Sequence, residues 1–72
     1  LVRKRSVTIG GHRTSYSVED AFRAELVRIA SGRGLPVAAL VAEIDAARAP
    51  ETNLSSALRL HVLEWLKAER SR

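Results

Sequence analysis

Residues 5–18, RSVTIGGHRTSYSV, alternate with a period of two around a Gly10-Gly11 pair, the period of a strand with one buried face. Two β-branched runs joined by Gly-Gly predict a hairpin. With a two-residue loop, Ile9 faces His12, Val7 faces Thr14 and Arg5 faces Tyr16. One face then carries Arg5, Val7, Ile9, His12, Thr14, Tyr16 and Val18. The other carries Lys4, Ser6, Thr8, Arg13, Ser15 and Ser17, every one of them polar. The same parity holds if Gly-Gly is only a kink and His12 to Val18 is a single strand pairing with another chain. Both arrangements stay open at this level.

Beyond residue 18 the apolar positions change to the helical period of 3.6. A first helix is expected over 19–31, with Val18, Phe22, Leu26 and Ile29 on one stripe and Glu19 and Asp20 in the acid-favouring first turn. Ser17 with Asp20 resembles a capping box, which offers Ser17 as a cap instead of a strand residue. Gly32-Arg33-Gly34 stops that helix. A second helix is expected over 36–48, opening on Pro36, with Val37, Leu40, Val41 and Ile44 inward. Pro50 ends it, and Thr52 or Asn53 caps a third helix over 54–69. There Leu54, Ala57, Leu58, His61, Val62, Trp65 and Leu66 share a stripe, while Leu60 and Leu63 lie off it. A helix apolar on more than one side suits burial between two subunits. The fold class expected is mainly α, one unit over 1–72 with a strand or hairpin at its start.

Length adds a reason for that second subunit. A chain of 72 residues buries only about 60% of its unfolded surface when it folds alone. It has no Cys, hence no disulfide and no thiolate metal site, so self-association is the remaining support. Charge adds a partner. Twelve Lys and Arg against eight Asp and Glu give +4, and residues 1–18 hold Arg3, Lys4, Arg5 and Arg13 with no acid. Residues 19–72 balance to zero. A basic arm on a neutral body, with Arg3 expected to be mobile, points to nucleic acid before membrane. No apolar run is long enough to span a bilayer, and no apolar stretch of a secretory signal follows the basic start. Leu1 in place of Met suggests a trimmed chain, and a cytoplasmic location is expected.

Catalysis and cofactors have no support in the residue pattern. No serine has a His and an acid in a recognisable order around it. His12 and His61 are too far apart for a metal pair. His12 is expected to hydrogen-bond to turn backbone, His61 to sit partly buried at an interface, and Trp65 to pack in the core or between subunits. Neither Gly10-Gly11 nor Gly32-x-Gly34 carries the tail of a phosphate loop. The expectation is a non-enzyme without metal or cofactor.

The stretches RSVTIGGHRTSYSVEDAF, RGLPVAALVAEID and NLSSALRL are similar to a bacterial branch of the ribbon-helix-helix DNA-binding family, over about residues 5–60. The resemblance implies an intertwined homodimer whose antiparallel two-stranded ribbon enters the major groove of double-stranded DNA. It assigns base contacts to Arg13, Ser15 and Ser17, three positions that periodicity places on the polar face. Arg13 can fork onto guanine O6 and N7, whereas the two serines have little base preference of their own. Arg3, Lys4 and Arg5 would neutralise phosphates.

The family also anchors a phosphate at the start of the second helix, which here gives Arg33 and the backbone at Val37 as contacts. Pro36 departs from that pattern by removing one donor. Tyr16, Val18, Phe22, Leu26, Ile29, Leu40, Val41 and Ile44 would form the dimer core. The alternative is a module of the same fold that binds a protein partner, antitoxin-like or otherwise, with little specific DNA binding.

Overall fold

Gly10 and Gly11 turn the chain back on itself with φ of +57° and +83°. Both angles lie in the left-handed region that side chains other than Gly enter at a cost, and a two-residue turn of this kind matches strand twist. In a computed structural model the flanking segments accordingly pair as antiparallel strands, β1 (Val2–Ile9) and β2 (His12–Glu19). The register sets Ile9 opposite His12, Val7 opposite Thr14 and Arg5 opposite Tyr16, the pairs that a two-residue loop predicts. Three helices follow: α1 (Asp20–Gly32), α2 (Val37–Ala47) and α3 (Leu54–Arg70). The structure describes residues 1–71; Arg72, the end of the expected 1–72 unit, lies outside them.

The strands are longer than the basic-arm reading foresaw. Pairing runs out to Val2 opposite Glu19, and the Asp20 N–H donates to the Leu1 carbonyl at 2.9 Å. Arg3 is therefore a strand residue and not a mobile tail, tied to Asp20 at 3.3 Å. Extension to Glu19 also overrides the capping box. Glu19 stands at the cap of α1 without a side-chain capping hydrogen bond, and Ser17 stays in β2, where tertiary partners occupy its backbone.

Pro36 is extended (ψ 149°) and caps α2 from outside, one residue before the helical position expected for it. Of the two candidate caps for α3, Asn53 acts: its side chain accepts from the Ser56 N–H at 2.8 Å. Such a cap stabilises a helix by about 1 kcal/mol.

The apolar face of the hairpin lies on the helices. Tyr16 and Val18 from β2, Leu26, Ile29 and Ala30 from α1, Leu40, Val41 and Ile44 from α2, and Leu54, Ala57, Leu58 and Val62 from α3 make one buried cluster. Val7, Ile9, Phe22, Leu35, Val37 and Trp65 pack at its margin. Each large aliphatic side chain fully buried there contributes about 1.5–3 kcal/mol. The third helix thus closes the core beside α1 and α2, and its Leu60 and Leu63 remain exposed on the far side.

Candidate nucleic-acid interface

Burial on the helices leaves the opposite face of the hairpin to solvent. Lys4, Ser6, Thr8, Arg13 and Ser15 are exposed and Ser17 is half-buried. Cross-strand pairing sets Lys4 beside Ser17, Ser6 beside Ser15 and Thr8 beside Arg13. Arg13, Ser15 and Ser17 therefore share one surface with three polar residues of β1, and that surface carries no apolar group between Thr8 and Lys4. Eight extended residues give each strand a length of about 27 Å.

Strand geometry also fixes where the backbone points. Residues flanking a two-residue loop exchange both hydrogen bonds, and the pattern alternates from there. The N–H and C=O groups of Arg13, Ser15 and Ser17 consequently face away from β1. At Ser17 they meet α3: its N–H donates to Ser55 Oγ at 2.9 Å, and Arg59 Nη2 donates to its carbonyl at 3.4 Å. Arg59 also donates to Glu19 at 2.8 Å and lies over the Phe22 ring, 5.9 Å from its centroid. The Ser17 end of β2 is held by the third helix. Ser55 and Arg59 were not singled out in the sequence; their only signal is a one-turn spacing within NLSSALR.

The cations sort into two sets. On the helical body, Arg28 pairs with Glu25 and Glu69, Arg33 with Glu43, Arg48 with Asp45, Arg59 with Glu19 and Lys67 with Glu64. Hydrogen bonds from Arg59 and Arg33 hold the Glu19 and Glu43 carboxyls below the usual carboxylate range. Lys4, Arg5, Arg13, Arg23 and Arg70, by contrast, have no carboxylate partner among the described residues. Three of these five belong to the hairpin.

The expected phosphate contacts stand unequally against this. Lys4 is exposed and unpaired, and Arg5 is half-buried and unpaired. Arg3 is shared with Asp20. Arg33 is gripped at 2.6 and 2.9 Å by both oxygens of Glu43, so an external phosphate would have to displace that carboxylate. Val37 is the first residue of α2. Because Pro36 lies outside the helix, its missing N–H leaves the helix's own first donors intact, and the first backbone bonds are those of Ala39 and Leu40 onto the Pro36 carbonyl.

The residues expected between subunits are placed within one chain. Tyr16, Val18, Leu26, Ile29, Leu40, Val41 and Ile44 are buried without a second copy, and Phe22 is half-buried. His12 is exposed and makes none of the turn hydrogen bonds expected of it. His61 is half-buried with its ring stacked on Trp65, centroids 6.3 Å apart. Trp65 in turn donates to Glu69 at 3.1 Å. Among the described residues no group of acids and histidines has metal-binding geometry, and no helix is long and apolar enough to cross a membrane.

A family of ribbon-helix-helix domains matches residues 2–66, from the first residue of β1 well into α3. The chain belongs to that family. No curated protein and no solved structure matches it. Ribbon-helix-helix domains are typically DNA-binding transcription regulators, act on DNA as dimers and are generally non-enzymatic. In this ribbon-helix-helix chain the strand that carries Arg13, Ser15 and Ser17 is already paired, in cis, with β1.

Proposed function

We propose that the protein is a homodimeric, sequence-specific DNA-binding protein, a cytoplasmic transcriptional regulator that lays the polar face of its hairpin in the major groove. The observation carrying this reading is the face from Lys4 to Ser17, wholly polar and bearing cations without a carboxylate partner among the described residues. Two strands about 4.8 Å apart fit a groove about 12 Å wide, in which every base pair shows its own pattern of donors and acceptors. Arg13, Ser15 and Ser17 contact bases. Arg3, Lys4, Arg5, Arg33 and the Val37 N–H contact phosphates, which fix register and supply affinity.

Selection from randomised duplexes at low salt tests the reading, with one enriched site expected. Arg13→Ala should flatten the preference at one base pair per half-site, by about 1–3 kcal/mol each, while its helical circular dichroism stays that of the wild type. A wild-type selection without enrichment would remove the specific-reader claim.

In the dimer, the unpaired β2 backbone at Arg13 and Ser15 offers an edge for the second copy. Phe22, still half open, offers apolar surface to the second copy beside the core that Tyr16, Val18, Leu26, Ile29, Leu40, Val41 and Ile44 form within each chain. Sedimentation at micromolar concentration should give twice the chain mass; a folded monomer there would exclude the dimer. A second reading, docking of a protein partner, is favoured by Leu60 and Leu63, which stay 54% and 49% exposed on α3. Salt separates the two, because an apolar contact barely weakens with ionic strength whereas phosphate contacts do.

A further inference from the structure

Base contacts from β2 alone leave half of the hairpin's polar face without a task. β1 runs beside β2 in the same chain, and its Ser6 and Thr8 are exposed on the side that carries Arg13 and Ser15. Other short hydroxyls are engaged within the protein: Ser55 Oγ accepts the Ser17 N–H at 2.9 Å, and Ser71 Oγ donates to the Lys67 carbonyl at 3.0 Å. The side chains of Ser6 and Thr8 make no hydrogen bond among the described residues.

The register sets Thr8 opposite Arg13 and Ser6 opposite Ser15. Both are pairs without mutual backbone hydrogen bonds, the type in which facing side chains stand closest. Their Cβ atoms lie about 5 Å apart, and base pairs stack about 3.4 Å apart. Thr8 therefore stands within about two base pairs of whatever Arg13 reads. Every rung of the face also has a short side chain: Thr8 beside Arg13, Ser6 with Ser15, and Ser17 beside Lys4. The two long cations stand at opposite corners, on different strands, which lets the backbone of both strands come close to the base edges.

We propose that Thr8 reads a base, packing its γ-methyl against the C5-methyl of a thymine in the half-site that Arg13 of the same chain reads. The proposal rests on the DNA-binding reading and adds a residue of β1, a strand otherwise without base contacts. Among Lys4, Ser6, Thr8, Arg13, Ser15 and Ser17, only Thr8 carries a methyl group. A serine hydroxyl bonds to any base edge, whereas a threonine methyl finds its apolar counterpart in the major groove only on thymine. One chain thus reads with both strands of its hairpin: a thymine from β1 close to a guanine from β2.

The test pairs Thr8→Ser and Thr8→Val with duplexes of the selected site in which thymines are replaced one at a time by uracil, which lacks only the C5-methyl. For the wild type, one such replacement in each half-site should weaken binding about fourfold, the worth of one apolar carbon returned to water. That position should lie within about two base pairs of the one whose preference Arg13→Ala flattens. Thr8→Ser should bind the thymine site about fourfold more weakly per half-site and be indifferent to the same uracil. Thr8→Val, which keeps a methyl group, should retain the uracil penalty.

A threonine present only for its strand preference would leave all three proteins responding to uracil alike, and that result would overturn the proposal. A wild type insensitive to every uracil would overturn it without any variant, as would a selected site with no thymine near the position that Arg13 reads. Each of these outcomes leaves the DNA reading intact, because enrichment of a site and the effect of Arg13→Ala do not depend on Thr8. A wild-type selection without any enriched site would remove the reading and the proposal together.

Discussion

Raising monovalent salt from 50 to 200 mM should weaken duplex binding by about a thousandfold. Lys4, Arg5 and Arg13 have no carboxylate partner among the described residues, and two copies bring about six such cations to the duplex. Each phosphate neutralised contributes about 0.9 to the slope of log affinity against log salt. The paired cations add little to this number, since a phosphate that displaces Glu43 from Arg33 exchanges one ion pair for another. Fluorescence anisotropy with a labelled duplex across a salt series measures the slope. A value near zero would mean that the hairpin's charge meets no polyanion.

Leu58→Ala should remove about half of the stability of the fold. Leu58 is fully buried in α3, in a cluster to which every element except β1 contributes buried side chains. Its truncation removes transfer free energy and leaves a cavity, a cost of about 2–5 kcal/mol. A domain of this size holds about 4–11 kcal/mol in total. Urea unfolding followed by far-ultraviolet circular dichroism gives the difference. A loss of under about 1 kcal/mol would show that α3 docks loosely and that the first two helices carry the fold. DNA binding by this variant should fall in proportion to its folded fraction, which separates it from Arg13→Ala.

Much of the architecture is legible in the residues because the signals there are local. The two-residue period and the Gly10-Gly11 pair carry the hairpin register down to the individual pairs. Helical periodicity identifies most of the inward residues of all three helices, but Leu66, on the stripe read for the third, is exposed. Contact at a distance is what local signals miss. Nothing near Ser17 says that its N–H goes to Ser55, thirty-eight residues away, and so a Ser-x-x-Asp pattern looks like a helix cap when the residue is a strand member held from outside. Arg33 looks like a basic residue placed at a helix start until Glu43, one helix later, is found to occupy it.

The hold of α3 on Ser17 has a consequence for how copies of the chain assemble. An open strand edge can recruit a second strand, and then others, without limit. On β2 the far end of that edge is occupied by Ser55 and Arg59, which leaves a short stretch at Arg13 and Ser15. A short stretch repeated by a two-fold axis uses itself up in one pairing. The third helix therefore shortens the edge that β2 offers to a second copy, as well as clamping its Ser17 end.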